Sequence, residues 1–250
     1  MRIVPSYIEV IAREFWKRTG QKVQPPYDIA GAISLLLPID IVSLSDLTLG
    51  KINRWLSDNG IRIPIDVNDR YLHGFVLIGR GTGFMFVNGT DGEDERRFTI
   101  AHEASHFIMD YKIPREKAIQ KMGTSIQDVL DGTREATMEE QVDGLINGIS
   151  VRSFTHLLEK EGDGSFESVE IFDVENKADM LAIELLAPHL EVINATLNGQ
   201  QKMSFTLFDQ YCLDILVSKY KLPIPIAKQY SKRLAYSVTG GPSIITKLGF

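Results

Sequence analysis

The five residues His102-Glu103-Ala104-Ser105-His106 constrain this chain more than any other feature of it. They are embedded among Phe98, Ile100, Ala101, Ala104, Phe107 and Ile108, whose spacing predicts a largely buried helix. On a helix, residues four apart project from one face with Cβ atoms about 5–6 Å apart. That places two imidazoles on adjacent corners of a tetrahedral zinc site, where Zn–N distances are about 2.0–2.1 Å. Two buried histidines and a glutamate are expensive without a partner, so a fold that accepts this helix has to supply one. Glu103, next to the first ligand, is placed to act as general base on a metal-activated water.

The rest of the composition narrows the class. The chain has 250 residues, 44% hydrophobic and 24% charged, which suits one large or two small globular domains rather than disorder. Its single cysteine, Cys212, excludes an internal disulfide framework and an all-cysteine zinc site. A net charge of −6 argues against a protein built to grip phosphate backbones, so direct nucleic-acid binding is not favoured. Charges at Glu9, Arg13 and Glu14 interrupt any signal-peptide core. No stretch approaches the roughly 18–20 apolar residues that span a bilayer. The expectation is a soluble, cytoplasmic protein without a membrane partner.

Periodicity predicts helices over residues 7–19, 28–37 and 48–57, the third capped by Ser45 or Asp46. Alternation predicts a strand at 61–67 and a hairpin of strands 73–78 and 84–87 around the glycine-rich turn 79–83. Helical spacing returns over 95–109, and again over 174–186, 205–219 and 224–236. The expected class is α+β with a small antiparallel sheet. A domain over 1–190, interrupted by an acidic insertion at about 111–173, is followed by a C-terminal helical segment over 191–250.

Two pairs of acids can complete the ligand set: Glu139 with Asp143, and Glu175 with Asp179. In either, the glutamate can reach the metal while the aspartate accepts the free N–H of a ligand histidine. Ala178, Leu181, Ala182 and Leu185 give the second pair an apolar stripe that can pack against the histidine helix. Glu139 precedes Gly144 and reads more naturally as a solvated acidic face.

Taken together, Arg96-Arg97-Phe98-Thr99-Ile100-Ala101-His102-Glu103-Ala104-Ser105-His106-Phe107 and the later Glu175-x-x-Ala178-Asp179-x-x-Ala182-x-Glu184-Leu185-Leu186-x-Pro188 resemble the ImmA/IrrE family of zinc metallopeptidases. The segments 26–33 and 84–88 fit the opening of the same domain, and the resemblance covers about residues 25–190. It implies a zincin-like fold, His102, His106 and Glu175 as metal ligands, Glu103 as catalytic acid/base and Asp179 as a residue behind the ligands. It also implies a zinc endopeptidase acting on a protein, with a helix-turn-helix DNA-binding repressor as substrate and stress responses as the setting. Manganese is an alternative metal. The chain departs from the family in Ser105, where glycine is usual, and in the longer gap from His106 to Glu175, which marks the insertion. A metal-bound regulatory protein that sequesters a partner, as in a toxin–antitoxin or phage-regulatory pair, is the alternative; Glu103 argues for the enzyme.

Several further expectations follow. His156, Tyr111, Tyr211 and His189 are the available oxyanion donors. The strand bearing Phe84 and Phe86 is a candidate edge for an extended substrate. Residues 107–174 carry 14 acids and 7 bases, net −7, whereas 185–250 carry 3 acids and 7 bases, net +4. The acidic insertion is therefore a candidate gate over the cleft. In the C-terminal helices Lys228, Lys232 and Arg233 imitate a helix-turn-helix, with packing or substrate docking preferred to DNA reading.

Overall fold

A computed structural model of the chain describes residues 3–20, 24–63, 69–149, 151, 169–200 and 202–242. In chain order the elements are α1 (Ser6–Arg18), α2 (Ile29–Leu36), β1 (Ile39–Leu44), α3 (Leu49–Asp58), β2 (Gly74–Gly79), β3 (Thr82–Asn88) and α4 (Glu93–His106). A π-helical turn (Phe107–Lys112) then leads into α5 (Ile113–Met122), α6 (Gln127–Leu130) and α7 (Met138–Asn147). They are followed by α8 (Val169–Leu186), α9 (His189–Leu197), α10 (Phe205–Ser218) and α11 (Ile224–Thr239). The described residues are α+β, as expected.

Contacts gather the chain into two compact units interleaved in sequence. One comprises Met1–Leu36, Gly92–Ala101 and Asp179–Phe250, the other Leu37–Asp91 and His102–Ala178.

In the first unit, α1 buries Ile8, Ala12 and Phe15, the three-and-four spacing of an amphipathic face. The Trp16 indole donates to the Leu185 carbonyl at 3.0 Å, and the Tyr230 hydroxyl donates to that of Ala187 at 3.2 Å. Carbonyls at the end of α8, orphaned by the helix geometry, are satisfied in this way. Phe208, Cys212 and Leu216 of α10 and Ala227, Tyr230 and Leu234 of α11 form buried faces. Lys228, Lys232 and Arg233 lie on the exposed side of α11, and Arg233 donates to the Ile3 carbonyl at 3.2 Å.

The second unit holds a three-stranded sheet in the order β1-β3-β2. β2 runs antiparallel to β3 with Phe75 opposite Phe86, and β1 runs parallel to β3 with Val42 opposite Phe86. The sheet is mixed, which corrects the antiparallel expectation. Its extra strand, Ile39-Asp-Ile-Val-Ser-Leu44, follows Pro38 and is too short to carry a strong periodic signal. Positive φ at Arg80 (51°) and at Gly81 (87°) makes the β2–β3 connection a tight two-residue turn. α3 covers the sheet through Ile52, Trp55 and Leu56, which pack with Phe75, Leu77, Phe84 and Phe86. Thr48, rather than Ser45 or Asp46, caps α3 by accepting from the Lys51 N–H at 3.3 Å. Residues 61–63 of the expected strand are not in the sheet, and 64–68 lie outside the described residues.

The described part of the acidic insertion up to Ile149 is folded. Ala118, Ile126, Val129 and Leu130 form a small core of its own, and Arg115 pairs with Asp131 at 2.7 Å. Thr137 and Glu140 form a reciprocal capping box at the start of α7, and Glu140 also accepts from Arg134 at 2.6 and 2.8 Å.

Candidate metal centre

α4 ends where the chemistry begins. Glu93, Asp94 and Glu95 occupy its first turn, where acids complement the positive end of the helix dipole. Its last turn presents His102 and His106 side by side, with ring centroids 4.7 Å apart. The helix then widens. The Ile113 N–H reaches back five residues to the Ile108 carbonyl, and Pro114, lacking an N–H, follows at the start of α5. The carboxylate comes from α8, whose Glu175 is 4% exposed.

His102 Nε2 lies 3.1 Å from His106 Nε2 and 3.4 Å from Glu175 Oε2, and His106 Nε2 lies 3.3 Å from Glu175 Oε1. Ligands of a tetrahedral zinc ion with metal–ligand distances of about 2.0–2.1 Å stand about 3.3 Å from one another. Three borderline donors at that mutual separation, two imidazoles and one carboxylate, therefore fit a single metal ion with one corner left over. All three belong to the second unit.

The electrostatics agree. Among the protein groups alone, burial works to lower the His106 pKa, but hydrogen bonds to Asp110 and Glu175 and the charges of Glu103 and Glu175 prevail and push it up to about 10. Burial likewise favours a neutral Glu175, yet its hydrogen bonds to His102 and His106 hold its carboxyl well below the usual range. The cluster attracts positive charge strongly enough to overcome its own burial.

Behind the ligands, His106 Nδ1 pairs with Asp110 Oδ2 at 2.8 Å. The ring is thereby fixed with Nε2 turned to the cluster, a partnership that orients ligand histidines and strengthens them as bases. The expectation had given this kind of role to Asp179. Asp110 performs it for His106. Asp110 was detectable in the sequence as an acid four residues beyond a proposed ligand.

Other expected residues divide clearly. Glu103 follows His102 on the same helix, partly exposed. Glu139, the rival third ligand, is exposed on α7 and outside the cluster. The Tyr111 hydroxyl accepts from the Gly81 N–H at 2.8 Å, which ties the π turn to the hairpin. His189 pairs through Nδ1 with Glu184 at 2.9 Å in the first unit, and Tyr211 is exposed there. His156 lies outside the described residues. Phe84 and Phe86 do not lie on an edge. β3 is the middle strand, bonded on both sides, and both rings pack on Trp55 with centroids 5.3 Å away. The hairpin pattern alone showed one neighbour for β3, and the unrecognised β1 supplies the second.

Comparison with known families matches residues 57–149 to the IrrE N-terminal-like domain, Peptidase_M78. The match supports the ImmA/IrrE resemblance and with it a metallopeptidase. It contains both histidines and Glu103 and stops short of Glu175, which the fold brings to them. No curated protein and no solved structure gives a match. No single helix among the described residues is long and apolar enough to cross a membrane.

Proposed function

We propose that this ImmA/IrrE-like chain is a zinc-dependent endopeptidase that cuts a protein substrate, with a helix-turn-helix DNA-binding repressor as the substrate class and the cytoplasm as its place of action. One observation carries the reading: a buried His102–His106–Glu175 triad at tetrahedral ligand spacing, with Glu103 directly beside its first member. The family match to a peptidase domain supports the reaction class.

His102, His106 and Glu175 are the residues that would hold the metal, with manganese as the alternative ion. When bound, a divalent ion supplies Lewis-acid polarisation of a carbonyl and lowers the pKa of a water toward about 7. Glu103 is the proton carrier: its carboxylate takes a proton from the attacking water and returns it to the departing amine nitrogen. Asp110 holds the His106 imidazole in one orientation through Nδ1. Ala104 and Ser105, both fully buried, complete the dry side of the histidine helix.

The test is metal analysis of the purified protein together with cleavage of helix-turn-helix proteins encoded nearby, comparing wild type with Glu103→Gln. Stoichiometric zinc and cleavage lost in the variant are expected, with loss of at least 100-fold for removal of a general base, as is usual for such groups. Equal cleavage by both proteins would overturn the mechanism. Stoichiometric metal without any cleavage would favour the sequestering protein instead.

A further inference from the structure

Among the described residues, the apolar residues of α7 bury almost nothing. Met138, Val142, Leu145 and Ile146 are 77%, 52%, 83% and 75% exposed. At about 100° per residue they fall within an arc of about 100°, so they form one stripe rather than scattered exposures. Only Gly144 is buried, on the opposite side, where it comes so close to Ile149 and Val151 that a Cβ would meet Val151. The helix is nevertheless well built, with the Thr137–Glu140 capping box at its start and Gly148 in the left-handed conformation at its end. A stable, capped helix that leaves its apolar stripe in water is a surface awaiting a partner.

The border of the stripe indicates which partner. Glu139 and Asp143, both exposed, run along the side next to Ile146 at a spacing of four residues. Nearby Arg134 is engaged by Glu140 on the inner side. Two copies of this face would bring like charges together, whereas a helix bordered by lysine or arginine would find complementary ones. Leu145 also lines a groove of about 1020 Å³ whose walls combine apolar Val129, Ile149 and Val151 with polar Arg134 and Gln141. A large apolar side chain from the partner can anchor there.

We propose that α7 and the adjoining groove form a docking site for an amphipathic helix of another protein, with an apolar stripe bordered by basic residues. The site is distinct from the metal cluster, and the proposal stands whether or not the chain cuts what it docks. The preformed helix lowers the ordering cost of association, and the acidic border makes association sensitive to salt.

The probes are two synthetic amphipathic helical peptides with the same leucine stripe, one bordered by lysines and one by glutamates. They are titrated against the full chain by fluorescence anisotropy, with sedimentation to monitor self-association. The lysine peptide should bind at least tenfold more tightly than the glutamate peptide and weaken as salt rises. Leu145→Glu and Ile146→Glu, both at solvent-exposed positions, should each abolish binding while metal content and unfolding temperature stay at wild-type values. Equal binding of the two peptides, or no binding of either, overturns the proposal. A dimer that Leu145→Glu disperses would assign the face to a second copy. Binding that emerges only when residues 152–168 are replaced by a glycine–serine linker would assign it to that segment of the chain itself.

Discussion

At the scale of single residues, the most consequential contact is the one between His106 Nδ1 and Asp110. A ligand imidazole can turn about its χ angles and offer either nitrogen; a carboxylate at 2.8 Å on one nitrogen leaves the other to the metal. Asp110→Asn is expected to weaken metal binding about 10–100-fold, as for comparable partners of ligand histidines. Competition with a chromophoric chelator measures this, and an unchanged affinity would remove Asp110 from the site. The two histidines were legible because four-residue spacing on an apolar helix has one chemical reading. Asp110 has the same spacing from His106, but an acid at that spacing on a helix reads equally well as a solvated side chain. Glu175 was legible only through the helix pattern around it, since nothing in local sequence shows that two segments 69 residues apart converge (175 minus 106).

Among the elements, α7 shows how a helix can be locally secure while its apolar stripe stays exposed among the described residues. The Arg134 hydrogen bonds, with the Thr137 backbone behind them, depress the Glu140 pKa to about 2 from an ordinary 4.5. A depressed carboxylate contributes stability above its unfolded pKa and loses it as pH falls through the folded one. The start of α7 should therefore keep its protection down to about pH 4.5 and lose it toward about pH 2. Hydrogen exchange of the amides over 138–142, normalised to intrinsic rates, follows this directly, and Glu140→Gln should remove the acid dependence. Gly144→Ala sets a gain of about 1 kcal/mol in helix propensity against a Cβ placed 2.3 Å from Val151 Cγ2 and 3.0 Å from the Ile149 carbonyl. Overpacking of this kind costs about 1–3 kcal/mol, so net destabilisation of the insertion is expected in chemical denaturation. The sequence showed the insertion only as an acid-rich stretch with turn signals. Its helices were hidden because so few of their residues are buried. β1 was missed for the opposite reason: its six residues make sense only once β3 is known to need a second neighbour.

For the molecule as a whole, metal and proton compete for one cluster. His106 carries its proton up to about pH 10 among the protein groups alone, and a metal has to displace it. Apparent metal affinity should therefore rise with pH, by up to about tenfold per unit for one proton released, while His106 is protonated in the metal-free protein. Chelator competition at three pH values tests the slope, and a flat profile would mean that His106 is already neutral. Metal at about 100 times its dissociation constant stabilises the folded chain by about 2.7 kcal/mol. For a chain of this size that raises the midpoint of thermal unfolding by about 5–10 °C. Calorimetry before and after chelation measures it. His102→Ala should show no such difference.

The placement of the ligands on either side of the insertion has a consequence for how such a chain can diversify. A bound ion would staple His106 to Glu175 and close a loop that includes the whole insertion. The entropy of closing a loop grows only with the logarithm of its length, so doubling the intervening chain costs about 0.6 kcal/mol. By this term alone, that loop can be lengthened or shortened at small cost while the three ligands keep their spacing. A surface element such as α7, carried between the ligands, can therefore be remodelled without disturbing the ligand geometry.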